Sequence, residues 1–175
     1  MELNLPSIEL TSVVESILIT TESAAYHEVN LKNRAADYGE DVRALLEGGS
    51  VFSAVHYIKA QRLRRIIQQE FAEAFRKIDL FALPGSPVAA PSIGAETVSI
   101  GDTQMEVPMA LLRFACPSNL TGLPAISVPC GLSRQGLPMG LQLVARAFDE
   151  ATLLRAAYTF EANTAPLPRP RIEQG

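Results

Sequence analysis

The sequence contains few residues of the kinds that hold metals, form disulfides or act as catalytic bases. It has two cysteines, Cys116 and Cys130, and two histidines, His27 and His56. The cysteines lie fourteen positions apart, with no Cys-x-x-Cys pair and no histidine beside them. That spacing favours neither a zinc site nor a disulfide framework, so we expect two reduced, buried thiols and no metal site. The histidines fall on predicted helices, at surface or core-edge positions.

The loop motifs of phosphate binding and acyl transfer are also missing. The sequence has no G-x-S-x-G elbow, no Walker loop and no G-x-G-x-x-G, so no bound cofactor is expected. Gly48-Gly49-Ser50 resembles a fragment of a nucleophile loop, but the residues that follow continue into an amphipathic helix. We therefore interpret Ser50 as the N-cap of that helix.

Long apolar runs and a strong excess of one charge are absent as well. No stretch reaches eighteen apolar residues, and the N-terminus lacks the basic and apolar regions of a signal peptide. The net charge is −4, and Arg62, Arg64 and Arg65 lack interleaved aromatic residues, which indicates a solvated helix face. We predict a cytoplasmic protein without a nucleic-acid or membrane partner.

The composition indicates a well-buried globular protein. Hydrophobic residues make up 47% of the 175 residues and charged residues 19%, which is typical of a chain with much buried sheet. A half-strand is predicted over residues 2–5. Apolar residues spaced by three and four predict helices over residues 9–32, 37–47, 50–77 and 107–115 and a last one capped by Asp149. Thr21 could divide the first of these, and the second should stop at Gly48-Gly49.

The most strongly marked stretch runs from Phe114 to Ala145. Two Gly-Leu-Pro triplets introduce the apolar runs Ala125 to Val128 and Met139 to Val144, and proline there marks the start of a strand. The runs predict two strands buried on both faces, and Asp79 to Leu83 predicts a further short strand. Residues 84–104 form a long loop rich in Pro, Gly and Ser, of the kind that is either functional or disordered.

Four polar side chains in these stretches could line a site. They are Ser86, Asn119, Cys130 and Gln142. An amide in a buried strand costs roughly 1–3 kcal/mol unless it is hydrogen-bonded. Gln142 therefore either ties neighbouring loops together or faces a polar cavity.

Several ordered blocks of this sequence resemble the C-terminal part of the amidase signature family. They include DLFALPGSPVAAPSIG from Asp79, RFACPSNLTGLPAISVPCG from Arg113 and GLPMGLQLVA from Gly136, followed by the helix that begins DEATLLRAA. The resemblance implies an α/β fold, with a mixed β-sheet covered by α-helices, over residues 1–163. The prolines of residues 164–175 predict an extended tail. The resemblance also implies a substrate pocket in which Pro84, Ser86, Asn119, Gly122 and Gln142 take part.

The resemblance carries two departures. The family hydrolyses carboxamides with a serine nucleophile, a second serine with a cis peptide bond and a lysine, and the GGSSGG segment that holds these serines is absent here. No catalytic residue is therefore assigned in this chain, which is expected to be inactive alone. The A subunits of amidotransferases carry an aspartate where this sequence has Leu112, so a general amidase acting on less polar amides is favoured over a glutaminase.

Four interpretations follow. The chain is the C-terminal portion of an amidase that acts with an N-terminal half, or part of the A subunit of an amidotransferase. Alternatively it is a non-catalytic half-fold that serves as an interaction or scaffold subunit, or a small hydrolase that uses Ser86 or Cys130. The expected partners are a small amide substrate in the complete enzyme and either the N-terminal half or a second copy, bound through an open sheet.

Overall fold

The computed structural model describes residues 5–168. The half-strand expected over residues 2–5 lies almost entirely outside the described residues, as does the end of the expected tail. The chain divides into two compact units. The first contains the residues up to Ala74 together with Asn119–Thr121, and the second contains Phe75–Ser118 and the residues from Gly122 onwards. Helices and strands both contribute, which confirms the predicted α/β class.

The first unit is built on one long helix, α1, over Thr11–Arg34. It packs against α2 (Glu40–Gly49) and α3 (Ala54–Ala74). The prediction that Thr21 begins a second helix is wrong, because its hydroxyl donates to the Ile17 carbonyl within α1. Thr20 does the same with Ser16, at 2.6 Å. A threonine does not interrupt a helix when its hydroxyl donates a hydrogen bond to the carbonyl of the preceding turn.

Two glycines end α2, and only one of them is buried. The helix includes both glycines and so ends two residues beyond Glu47, the predicted last residue. A Cβ added at Gly49 would lie 2.1 Å from the Thr20 carbonyl oxygen of α1, whereas one at Gly48 would meet nothing within 4 Å. Gly49 is therefore required by close helix packing.

Helix α3 begins later than predicted. Ser50 is not its cap, because the Ser50 N–H donates to the Glu47 carbonyl at 3.1 Å and closes α2. Ser53 accepts the His56 N–H at 3.3 Å instead, which is N-cap geometry. The buried residues of α3 include Ile67 and Phe71, which lie four positions apart and therefore share one side of the helix.

The last turn of helix α5 (Cys116–Thr121) belongs to the first unit and is bound to α3. Arg64 Nε donates to the Leu120 carbonyl at 2.7 Å, and Gln68 Nε2 donates to the Thr121 carbonyl at 3.2 Å. These bonds satisfy carbonyls that a helix end leaves without partners. Arg64 therefore has a structural contact that its place in the basic cluster did not predict.

The second unit contains a three-stranded antiparallel sheet. Strand β1 covers Leu80–Pro84, β4 covers Ala125–Leu132 and β5 covers Pro138–Ala145, in the order β1-β5-β4. The two predicted central strands thus form a hairpin, and β1 joins it on the free side of β5. In this register Gln142 lies between Leu83 and Ser127.

Helix α6, over Glu150–Ala162, covers one face of this sheet. Asp149 caps it as predicted, since Asp149 Oδ1 accepts the Thr152 N–H at 3.3 Å. The core between helix and sheet consists of Val128, Leu143, Ala145, Leu153 and Ala157.

The prediction that both central strands are buried on both faces is correct only for the end of β5. Gln142 to Ala145 are buried, but in β4 only Val128 is. The reason is that β4 is a sheet edge in the described part of the chain and α6 packs on one face alone.

The predicted long loop contains a second sheet. Strands β2 (Thr97–Ile100) and β3 (Thr103–Glu106) pair as a hairpin around Gly101 and Asp102. Gly101 has φ 58°, which a two-residue hairpin turn requires and glycine permits.

The region after this hairpin is helical but interrupted. Instead of one helix over residues 107–115, α4 covers Val107–Leu112 and α5 follows after a turn. Within the described residues, no helix is both long enough and apolar enough to cross a bilayer.

Candidate functional site

A cavity of about 770 Å³ lies at the end of the three-stranded sheet, where β1 leads into the segment Pro84 to Pro87. Its lining includes Pro84 and Ser86, two of the residues predicted for a substrate pocket. The lining also includes Leu111 from α4, Ser127 and Cys130 from β4, and Met139 and Gly140 from β5. The volume is within the usual range of sites for small organic molecules, about 300–1,000 Å³.

Glycines on neighbouring segments shape one wall of the cavity. The Gly85 N–H donates to the Gly140 carbonyl at 2.7 Å, which continues the β1–β5 pairing beyond Pro84. A Cβ added at Gly140 would lie 2.6 Å from Ser127 Oγ, and one added at Gly85 would lie 3.3 Å from the same atom. The Ser127 side chain therefore lies over the backbone of Gly140 and Gly85, where the absence of side chains leaves room for it.

A β-bulge explains why Cys130 reaches the cavity. Pro129 pairs with Gly140 and Gly131 with Met139, so the register shifts at Cys130. A bulge redirects the side chain of the extra residue, and the Cys130 thiol is exposed, 3.5 Å from the Met139 carbonyl oxygen. The prediction of a buried thiol is wrong for Cys130 and correct for Cys116.

In the part of the chain that the structure describes, the residues that line the cavity carry no charge. Its polar side chains are two hydroxyls, Ser86 and Ser127, and the Cys130 thiol, while the rest of the lining is aliphatic, proline, glycine or methionine. Ser86 Oγ accepts the Val88 N–H at 3.4 Å, a long bond within the same loop. A neutral ligand with apolar groups can enter such a space without losing the solvation of a charge.

Gln142 lies outside this lining and is buried between β5 and α5. Its Nε2 donates to Ser118 Oγ at 3.3 Å, and Ser118 Oγ donates to the Ala115 carbonyl at 3.0 Å. Gln142 is 7% exposed and Ser118 6% exposed. Of the two interpretations of this amide, the observed contact is the one in which it ties neighbouring segments together.

The remaining predicted residues also lie around α5. Asn119 is exposed and belongs to the last turn of that helix. Gly122 follows it with φ 76°, and its N–H donates to the Ser118 carbonyl at 2.9 Å, a helix C-cap that favours glycine. The structure thus brings Pro84 and Ser86 together at the cavity and places Asn119, Gly122 and Gln142 elsewhere. A role for these five residues in substrate binding stays a prediction.

Sequence reasoning did not identify Ser127, Gly140, Met139 or Leu111 as lining residues. The available signal was weak: Ser127 is a hydroxyl within an apolar strand, and Gly140 is a glycine inside a strand, which often marks close backbone approach. Neither signal shows that the two residues face each other. Their proximity depends on the β4–β5 register.

The histidines take part in local contacts of the first unit. His27 Nδ1 lies 3.0 Å from the Tyr38 hydroxyl, and His56 Nδ1 lies 3.1 Å from Ser53 Oγ, at the start of α3. Residues 5–168 contain no cluster of three or more His, Cys, Asp or Glu side chains that could hold a metal ion.

Comparison with known proteins defines the class. The sequence profile of the amidase family matches residues 5–154, and this chain belongs to that family. The match spans both compact units and includes the whole lining of the cavity.

Relatives within the family carry several activities in their names. The chain is 46% identical over 138 residues to the A subunit of the glutamyl-tRNA(Gln) amidotransferase from Parvibaculum lavamentivorans, covering 74% of this chain and 26% of that protein. It is 36% identical over 165 residues to an amidase of Pseudomonas putida. That match covers 94% of this chain and 35% of the Pseudomonas putida protein.

Solved structures agree in fold. A crystal structure of an amidase superposes with a TM-score of 0.88 at 27% identity, over 94% of this chain and 37% of that one. The chain thus spans about a quarter to a third of the length of the curated relatives named here.

Proposed function

We propose that this chain is the C-terminal portion of an amidase-signature amidohydrolase and forms a wall of its substrate site. In this proposal the nucleophilic serine, the second serine and the lysine come from a preceding segment, in the same polypeptide or in a partner. The serine adds to the carboxamide carbon, the amine leaves with a proton, and water releases the acid. The observation that carries the proposal is the amidase match over residues 5–154, which includes an uncharged cavity.

The preferred substrate in this proposal is a neutral amide. Leu112, at the position where the A subunits of amidotransferases carry an aspartate, is 52% exposed at the end of α4, and the adjacent Leu111 lines the cavity. An apolar side chain offers no partner to the ammonium group of glutamine. Release of ammonia from glutamine is the second candidate, and the 46% identity to an amidotransferase component favours it.

A chimera tests the proposal. The matching segment of the Pseudomonas putida amidase, about a third of that protein, is replaced by this chain. We expect the chimera to hydrolyse hexanamide, measured as ammonia release, and the chain alone to release none because it lacks the GGSSGG segment. Glutamine, supplied at the same concentration, should be the poorer substrate.

Two results would contradict the proposal. One is a folded chimera, with a cooperative melting transition, that hydrolyses neither hexanamide nor glutamine; this outcome would support the scaffold interpretation. The other is labelling of the chain alone by a fluorophosphonate at Ser86, which would indicate an autonomous hydrolase. Faster turnover of glutamine than of hexanamide would support the amidotransferase candidate.

A further inference from the structure

We propose that the cavity at the end of the sheet binds the apolar substituent of a neutral carboxamide, and that Ser127 and Gly140 together determine which substituents fit. This inference rests on the proposed function and specifies its substrate class. It assigns a binding role to the glycine-backed wall formed by Gly85, Gly140 and Ser127, which the resemblance did not indicate.

The first step concerns shape. Ser127 Oγ occupies the space that side chains at Gly140 and Gly85 would fill, since Cβ atoms there would lie 2.6 and 3.3 Å from it. Any side chain at Gly140 must displace the Ser127 hydroxyl, because a separation of 2.6 Å is shorter than carbon–oxygen contact allows. The depth of the cavity at this wall therefore depends on residue 140 being a glycine, which has no Cβ atom.

The second step concerns polarity. Ser127 is exposed and its hydroxyl can donate one hydrogen bond and accept others. Apart from Ser86 and Cys130, the other side chains of the cavity lining are apolar and include Leu83 and Met139. Two hydroxyls and a thiol in otherwise apolar surroundings suit a ligand with a small neutral polar group, such as a carboxamide, and an alkyl or aryl substituent.

The third step concerns charge. Among residues 5–168, no carboxylate lines the cavity to pair with an ammonium group, and no lysine or arginine lines it to pair with a carboxylate. A charged substituent would lose its hydration without a compensating ion pair. The cavity should therefore discriminate between hexanamide and 6-aminohexanamide, which have the same chain length and differ by an ammonium group.

Cys130 provides a readout of binding that does not require catalysis. Its thiol is exposed and lines the cavity, while the other cysteine, Cys116, is buried. The folded chain should react with one equivalent of iodoacetamide and the denatured chain with two, so a second fast-reacting thiol would reveal an unfolded sample. A ligand in the cavity should slow the alkylation of Cys130.

The experiment measures the rate of Cys130 alkylation in the full chain with each amide. We expect hexanamide to slow the reaction by roughly tenfold at ten times its dissociation constant, because the free fraction falls as 1/(1 + [L]/Kd). The 6-aminohexanamide and glutamine should have little effect at equal concentration. Gly140→Ala should abolish the protection, and Ser127→Ala should weaken it.

Two variants serve as matched controls. Gly48→Ala adds the same methyl group where nothing lies within 4 Å, and Ser92→Ala removes an exposed hydroxyl outside the cavity lining. Both should retain full protection by hexanamide. Cys116 is buried in the folded chain, so its reaction with iodoacetamide would show that a variant is unfolded. Loss of protection in Gly140→Ala therefore supports the inference only if a single thiol reacts.

The inference is overturned if hexanamide does not protect Cys130 in the folded chain, or if 6-aminohexanamide protects it equally. It is also overturned if Gly140→Ala remains folded and protected. These results do not depend on turnover. If hexanamide protects Cys130 but the chimera does not hydrolyse it, only the proposed function is contradicted. If the chimera hydrolyses hexanamide but Cys130 is not protected, only this inference is contradicted.

Discussion

The two adjacent glycines of α2 show how a single methyl group can matter at one position and not at the next. Gly49 is buried against the backbone of α1, while Gly48 faces open space. Gly49→Ala should destabilise the protein by about 1–3 kcal/mol, because the added carbon forces the two helices apart. Gly48→Ala should be neutral or stabilising, by up to about 1 kcal/mol, since alanine is the better helix former. Urea denaturation of both variants measures the difference.

Equal stability of the two glycine variants would show that α1 and α2 do not approach each other as described. The comparison removes general effects of adding a methyl group to α2, because the two sites are adjacent in one helix. It therefore reports helix packing alone.

Gln142 and Ser118 form a buried polar pair that also lends itself to a direct test. Gln142→Ala should cost roughly 1–3 kcal/mol, because a buried amide and its hydrogen bond are lost. A double-mutant cycle with Ser118→Ala should give a coupling energy of at least about 0.5 kcal/mol, as residues in one hydrogen-bond network do. Chemical denaturation of the four proteins supplies the numbers.

Additive single and double variants would refute the pairing of Gln142 with Ser118. The same alanine variant in the chimera tests the predicted contribution to the site: we expect lower turnover as well as lower stability. If both the melting temperature and the kinetics stay unchanged, Gln142 has no part in the site.

At the scale of elements, the start of α6 depends on one carboxylate. A hydrogen bond from the Thr152 side chain lowers the pKa of Asp149 most, and the Thr152 N–H and the charges of Arg146 and Arg155 lower it further. A carboxyl whose pKa is lower in the folded state stabilises it fully above the unfolded pKa, about 3.9 for aspartate. This contribution disappears as the pH falls through the folded-state pKa.

Asp149→Asn should therefore remove part of the acid sensitivity of the protein. Asparagine is also a good N-cap, so the melting temperature should change little at neutral pH. Below the ordinary pKa of aspartate, the melting temperature of the wild-type chain should fall more steeply than that of the variant. Parallel melting curves across this range would show that Asp149 does not contribute through its charge.

At the scale of the whole chain, exposed apolar side chains form a stripe along α3. Val55 is 59% exposed, Ile58 51% and Ile66 46%, at spacings that place them on one side of the helix. Arg62 lies between Ile58 and Ile66 on this side, and exposed apolar surface next to polar residues is a common feature of interfaces. The proposed function supplies a covering partner, because the amidase of known structure is much longer than this chain, which spans 37% of it.

Without such a partner we expect the chain to self-associate in a concentration-dependent manner. Ile58→Lys should lower the mean mass measured by light scattering, because a charge on the stripe opposes burial. Ser92→Lys, an exposed substitution outside α3, should not. A chain that is monomeric at all concentrations, or two variants that behave alike, would contradict the prediction.

The local sequence alone was sufficient to predict several features of this protein. Apolar residues spaced by three and four predicted α1, α3 and α6, because a helix that covers a core must present one apolar side. Asp149 was recognised as a cap because a carboxylate can accept a free amide of the first turn. The β2–β3 hairpin was missed although Gly101-Asp102 is a recognised turn signal, since the proline-rich surroundings predicted a loop.

Family membership was also evident from the order of sequence blocks, which the amidase match over residues 5–154 confirms. The position of a cap or the period of a helix is decided by neighbours in the chain. Local sequence therefore carries that information.

Only the tertiary structure decided which residues share the cavity. Ser86 follows β1, Ser127 lies on β4 and Gly140 on β5, and they meet because β1 pairs with β5 across more than fifty intervening residues. The bulge that exposes Cys130 and the helix contact that requires Gly49 are likewise set by partners distant in the chain. Strand register and close packing depend on the fit of whole surfaces, which no local pattern specifies.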